Sequence, residues 1–174
     1  LHMNTRFYVA RCMEGLRALL ALSGIPVAAG SAPRVREMHI RFHREAQVAT
    51  SLHMEGGFAR IDASQAEAVF VLRHSLKDAI AATFRVVLGP PASGAWSDPG
   101  TAPAFATPPE AQPRGVDPEY RPPARPDLAN HLRIALGNLG DAECDSTGRM
   151  MPQKFIGSVS DGIRRLTSPL REIV

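Results

Sequence analysis

The amino-acid sequence predicts an α+β fold, a long amphipathic helix laid on an antiparallel sheet. Three patterns carry the prediction: a helical apolar stripe near the start, four extended runs behind it, and turn-length links between the last three runs. In the stripe, from Asn4 to about Ser23, Phe7, Tyr8, Cys12, Met13, Leu16, Leu19 and Leu20 recur at helical spacing, while Arg6, Arg11, Glu14 and Arg17 gather opposite. Asn4 or Thr5 is placed to cap this helix, and Gly24 followed by Ile25 and Pro26 ends it.

The first extended run, residues 35–43, alternates Met38, Ile40 and Phe42 with Glu37, His39, Arg41 and His43, the period of a half-buried strand. Residues 49–62 form the second, with the Gly56-Gly57 pair expected at a bulge or bend. Residues 65–74 and 78–89 are rich in β-branched and aromatic side chains. The links at Ala63-Ser64 and Ser75-Leu76-Lys77 are short enough for hairpins.

The character then changes. Eleven of the fifteen prolines fall between Pro90 and Pro126, so this stretch is expected to be a linker lying over the surface or disordered, with Trp96, Phe105 and Tyr120 available to pin it. Residues 131–140 look like a further strand. Residues 153–167 place Phe155, Ile156, Val159, Ile163 and Leu166 on one helical face.

Composition bounds the function. With 174 residues and 44% hydrophobic content, the chain can bury one core, or one domain and part of another. No apolar run approaches the ~20 residues that span a bilayer. Charges at Arg11, Glu14 and Arg17 argue against a signal peptide, so the expected location is cytoplasmic, with no membrane partner. Cys12 and Cys144 are far apart, which offers neither a disulfide framework nor metal-ligand spacing. The net charge is only +3 and the cations are scattered, so no nucleic-acid partner is expected; an anionic small ligand needs only two or three of them.

The two ends of the sequence resemble each other. At an offset of 147 and without a gap, Met3 meets Met150, Tyr8 meets Phe155, Val9 meets Ile156, Glu14 meets Asp161, Gly15 meets Gly162, Leu16 meets Ile163 and Arg17 meets Arg164. The counterpart of Asp145 then falls before Leu1. The expectation is a duplicated unit truncated at both ends.

The turn Asp145-x-x-Gly148-Arg149-Met150 leading into a helix, its remnant His2-Met3-Asn4 before "RFYVARCMEG", and the strand "EMHIRFHREAQV" together resemble hotdog-fold acyl-CoA thioesterases. The resemblance spans residues 2–89 and 131 to about 166. It implies a hotdog fold, a central helix packed on an antiparallel sheet, followed by the start of a second hotdog unit. The implied domains are 1–89, a first unit without its N-terminal strand and acidic turn; 90–130, a linker; and 131–174, the opening of a second unit. The implied activity is hydrolysis of an acyl-CoA to a free acid and CoA, with no cofactor apart from the CoA of the substrate, in a homo-oligomer or paired with another hotdog unit. The alternative is a non-catalytic hotdog module that binds acyl-CoA or serves assembly.

Carried over by position, Asp145 matches the family's catalytic acid, and Asn4 and Thr5 stand at the donor end of the first helix. Arg149 replaces the usual His and Met151 the usual Asn. Pro152 occupies the place of a helix-terminal N–H and has none to give. It is also a favoured first residue of a helix. Arg41, Arg44 and Arg73 are candidates for cofactor phosphates, and exposed strand arginines are common without such a role. Asp145 equally suits a simple turn, Glu14 and Asp161 suit solvated helix faces, and His39 and His43 suit an interface as well as a ligand.

Overall fold

A computed structural model describes residues 3–28, 30–92, 94, 96, 103–113, 138–145 and 147–171, with side chains as far as Ile163. The chain divides into two compact units, Leu1–Pro113 and Arg114–Val174. In the first, helix α1 (Thr5–Leu22) precedes β1 (Val35–Phe42), β2 (Leu52–Ile61), β3 (Ala66–His74) and β4 (Ala79–Leu88). The four strands form one antiparallel sheet in the order β1-β4-β3-β2. All five elements agree with the sequence expectation to within a few residues.

Local chemistry sets the boundaries. Asn4 is extended, and its Oδ1 accepts the Arg6 N–H at 3.1 Å, which starts α1. Past Ser23, Gly24 takes φ +67°, and the Ile25 N–H returns to the Leu20 carbonyl at 2.9 Å, closing the helix. Asp62 Oδ1 gathers the Ser64 N–H and hydroxyl and the Gln65 N–H at 2.7–3.1 Å, which turns β2 into β3.

The core lies between α1 and the inner face of the sheet. Tyr8, Cys12, Leu16, Leu19 and Leu20 meet Ala66, Ala68, Phe70, Leu72, Ala82, Phe84, Val86 and Leu88, all of them buried. Small residues on the strands leave room for a helix to approach. The glycines do the same at closer range: a Cβ on Gly15 would lie 2.6 Å from Met54 Sδ, and one on Gly56 would overlap the Phe70 ring. Gly56 and Gly57 therefore do not mark the expected bulge. They pair regularly with Phe70 and Val69, and the irregularity falls beyond them, between Phe58 and Arg60. Close approach, on opposite faces, is what requires glycine at both positions.

β3 is buried without interruption from Ala68 to Leu72 rather than alternately, so its outer face is covered as well. Part of the Pro-rich stretch lies there. Phe58 donates its N–H to Pro103 O at 2.8 Å and accepts from Phe105 N–H at 2.9 Å, a parallel bridge at the β2 edge. Trp96 is buried edge-on against Phe58 with ring centroids 6.3 Å apart. Trp96 and Phe105 thus pin the segment as the sequence suggests; Tyr120 lies outside the described residues.

In the second unit, Cys144 and Met150 form a bridge around a tight turn, and α2 (Pro152–Arg171) follows directly. The strand expected at 131–140 falls mostly outside the described residues, and 138–140 have no regular structure. No described helix is long and apolar enough to cross a membrane.

Gly56→Ala should cost about 1–3 kcal/mol through overpacking against Phe70. A lowered urea midpoint with an unchanged slope checks this; an unchanged midpoint would mean that the Phe70 ring and the β3 backbone at Val69 both give way freely.

Candidate functional site

The head of α1 is built by a clamp on the segment after β1. Met3 N–H bonds to Ala46 O at 2.8 Å, and Ala46 N–H to the Tyr8 hydroxyl at 2.8 Å. Tyr8 and Ala46 are both buried, and Phe42 meets the Tyr8 ring edge-on at 5.2 Å. This ties the helix start to the crossing chain that carries β1 over to β2 at the opposite edge of the sheet. Asn4 satisfies Arg6 N–H with its side chain and Phe7 N–H with its carbonyl. Thr5, half-buried, keeps a backbone N–H that bonds to none of the described residues. Together with the helix dipole it offers positive potential to an anion or to a developing oxyanion.

Asp145 belongs to the other unit. Its Oδ1 accepts Thr147 N–H at 2.8 Å, Thr147 Oγ1–H at 2.6 Å and Arg149 N–H at 3.1 Å, while its own N–H bonds to Arg149 O at 2.8 Å. Gly148 completes the turn at φ +76°. The Thr147 hydroxyl above all, then the Arg149 and Thr147 amides, hold the exposed carboxyl below the usual aspartate range. Asp145 is thus an ionised turn residue at neutral pH. It lines a shallow depression with Leu139, Gly140, Asp141, Cys144 and Gly148.

The candidate arginines are used separately. Arg41, on edge strand β1, donates from Nη1 to Gln112 O at 3.1 Å and Pro109 O at 3.4 Å. Arg73, on β3, is tied to Glu55 Oε2 at 3.2 Å and to the Asp78 carbonyl at 3.1 Å. Arg44 is exposed, and its side chain pairs with none of the described residues. A shared phosphate cradle is not formed: β4 separates β1 from β3, and two of the three guanidiniums already hold protein oxygens.

His43 Nε2 lies 3.2 Å from Thr83 Oγ1, whose proton goes to Glu110 O at 3.0 Å, so His43 is the donor in that contact. His39 faces Arg85 across β1 and β4. Burial, with Arg85 adding to it, lowers the His39 pKa, and its Nε2 is buried without a hydrogen-bond partner among the described residues. No described group of three or more His, Cys, Asp or Glu is placed to hold a metal. Burial raises the Cys12 thiol well above its ordinary range, which removes it as a nucleophile. His2 lies outside the described residues. Sequence reasoning missed Tyr8 as the residue that positions the helix start; its signal was a polar tip on an otherwise apolar stripe.

A single long helix on a four-stranded antiparallel sheet, with its N-terminal donor end held beside a crossing segment, defines a hotdog-like α+β protein. The chain belongs to the thioesterase-like superfamily, whose family model matches residues 1–90. Among solved structures, a Pseudomonas putida protein assigned as a thioesterase superposes with a TM-score of 0.51 at 16% identity, covering 57% of this chain and 69% of that one. A Pseudomonas aeruginosa protein matches with a TM-score of 0.46 at 17% identity over 51% of this chain and 63% of its own, so the chain spans less than two thirds of that protein's length. A Thermus thermophilus thioesterase solved with coenzyme A and zinc gives a TM-score of 0.46 at 15% identity, covering 56% and 74% of the two chains. No curated protein sequence matches the chain.

Two measurements test the geometry. Because the folded pKa of Asp145 is depressed, its contribution to the turn is present above the ordinary value of 3.8 and is lost as pH falls through the lowered one. Thr147 and Arg149 amide resonances should titrate together with a midpoint below 3.8, and Asp145→Asn should abolish that step; a midpoint at or above the ordinary value would refute the turn. Tyr8→Phe strands the buried Ala46 N–H and should cost about 1–3 kcal/mol in urea unfolding. Wild-type stability in that variant would show that another acceptor serves Ala46.

Proposed function

We propose that this chain is an acyl-CoA thioesterase-like protein that hydrolyses an acyl-CoA thioester to the free acid and CoA, built on a double-hotdog plan. One observation supports it above the others: the family match spans the first unit from α1 through β4, whose helix begins with a backbone donor at Thr5 that no described residue takes. In the reaction, water adds to the thioester carbonyl, the C–S bond breaks, and the departing thiolate takes up a proton. The carbonyl oxygen gains charge on the way, which a helix-terminal N–H stabilises. A carboxylate activates the water or attacks directly. Asn4 sets the helix start, Thr5 supplies the donor, and Asp145 is the acid. Of the three arginines, Arg44 is the one whose side chain is unengaged by described residues and so best suited to a CoA phosphate.

The double plan is supported by the register of α2. Phe155 and Val159 align with Tyr8 and Cys12, on the buried face of α1, yet they are 57% and 40% exposed. In this reading their partner is the sheet of a second hotdog unit, with 131–174 as its opening and 90–130 as the connection.

Acyl-CoA turnover should be measured on this chain and on a version extended upstream. Turnover that appears or rises with the extension, and falls with Asp→Ala in the added acidic turn or with Asp145→Asn, is the expected result. Saturable acyl-CoA binding without turnover in both versions would replace this reading with the non-catalytic module.

A further inference from the structure

We infer that residues 103–113 are a built-in strap that keeps a second copy of this chain off the outer face of the sheet and off the β2 edge. The inference is independent of the proposed activity and rests on the first unit alone.

A β2 edge left open would present the Phe58 N–H and carbonyl to any passing strand. The strap takes both through Pro103 O and Phe105 N–H. Proline suits the first position, because only its carbonyl is needed there and it has no N–H to leave unpaired. From that edge the strap turns over the outer face. A Cβ on Gly57 would overlap Pro103 O and lie 2.9 Å from Phe105 Cβ, so the segment passes directly above Gly57. Val69, the cross-strand partner of Gly57, and Val71 are buried on that same side, away from α1.

The strap is latched further across the sheet. A 3-10 turn at Pro109–Ala111 sits over β4 and β1, with Ala111 buried. Thr83 hydroxyl donates to Glu110 O, and Arg41 holds the Pro109 and Gln112 carbonyls. Prolines 103, 108, 109 and 113 restrict the segment before it binds, which lowers the entropy lost on seating it. Among the described residues only the strap takes the Phe58 groups, so its release would free them beside the valine patch. A second copy would carry the same patch, and two like patches related by a twofold axis would satisfy each other.

Gly57→Val tests this. A β-branched residue suits the strand interior but has no room beneath Pro103, so the strap should be displaced while the sheet stays folded. Hydrogen exchange should show lost protection at Phe105, Ala111 and Gln112 with β3 and β4 amides still protected. Sedimentation should then show a species of doubled mass relative to wild type, growing with concentration. Thr83→Val, which removes the hydroxyl donor at nearly constant volume, should move both readouts in the same direction by less. Retained strap protection in Gly57→Val, or a released strap with the wild-type mass at every concentration, would overturn the inference. Fast exchange at Phe105 and Ala111 in the wild-type chain would also overturn it.

Discussion

The first unit depends on how closely α1 can approach the inner face of the sheet. Gly15 lets the helix pass over Met54, Gly56 leaves the space that the Phe70 ring occupies, and Ala66, Ala68 and Ala82 keep the neighbouring positions shallow. Larger residues along that line would lift the helix and open the core, since packed interiors tolerate little added volume. The approach also fixes the helix start. With α1 seated, Tyr8 reaches Ala46, and the segment between β1 and β2 is held against the donor end. Core packing and site geometry are therefore one arrangement.

The second face of the sheet follows a different logic. β3 reads as a run of apolar residues from Ala68 to Leu72 and is buried on both sides, as is its neighbour β4 from Ala81 to Phe84. α1 covers one side, and Pro-rich chain lies over the other, fixed by several directed hydrogen bonds. A proline-rich segment that makes no ladder of its own still offers carbonyl oxygens, and Arg41, Thr83 and Phe58 use four of them or their neighbours. Composition alone describes such a segment as a linker; its carbonyls make it part of the fold.

Much of the first unit was legible in the sequence. Helical period and capping placed α1, and period-two patterning with short turns placed β1 to β4 to within a few residues. Strand order was not legible. β1 and β2 are consecutive in the chain yet lie at opposite edges, because their partners are chosen by packing beneath α1 and not by turn length. The Gly56-Gly57 pair was read as a bend because glycine permits one, whereas the structure uses it for clearance on two faces. Of the candidate site, the capping role of Asn4 and the turn chemistry of Asp145 were local and therefore readable. The engagement of Arg41 by residues about seventy positions later was not.

The sequence by itself determined the elements: where the helix begins and ends, which side of it is apolar, where the strands turn, and that an acidic turn precedes a second amphipathic helix. These depend on interactions between residues close in the chain. Only the tertiary structure decided which of the three arginines stays unengaged by the described residues, which face the glycines serve, and that part of the expected linker closes the sheet. Those outcomes depend on which distant groups share a space, and a hydrogen bond between Thr83 and Glu110 leaves no periodic trace in the residues between them.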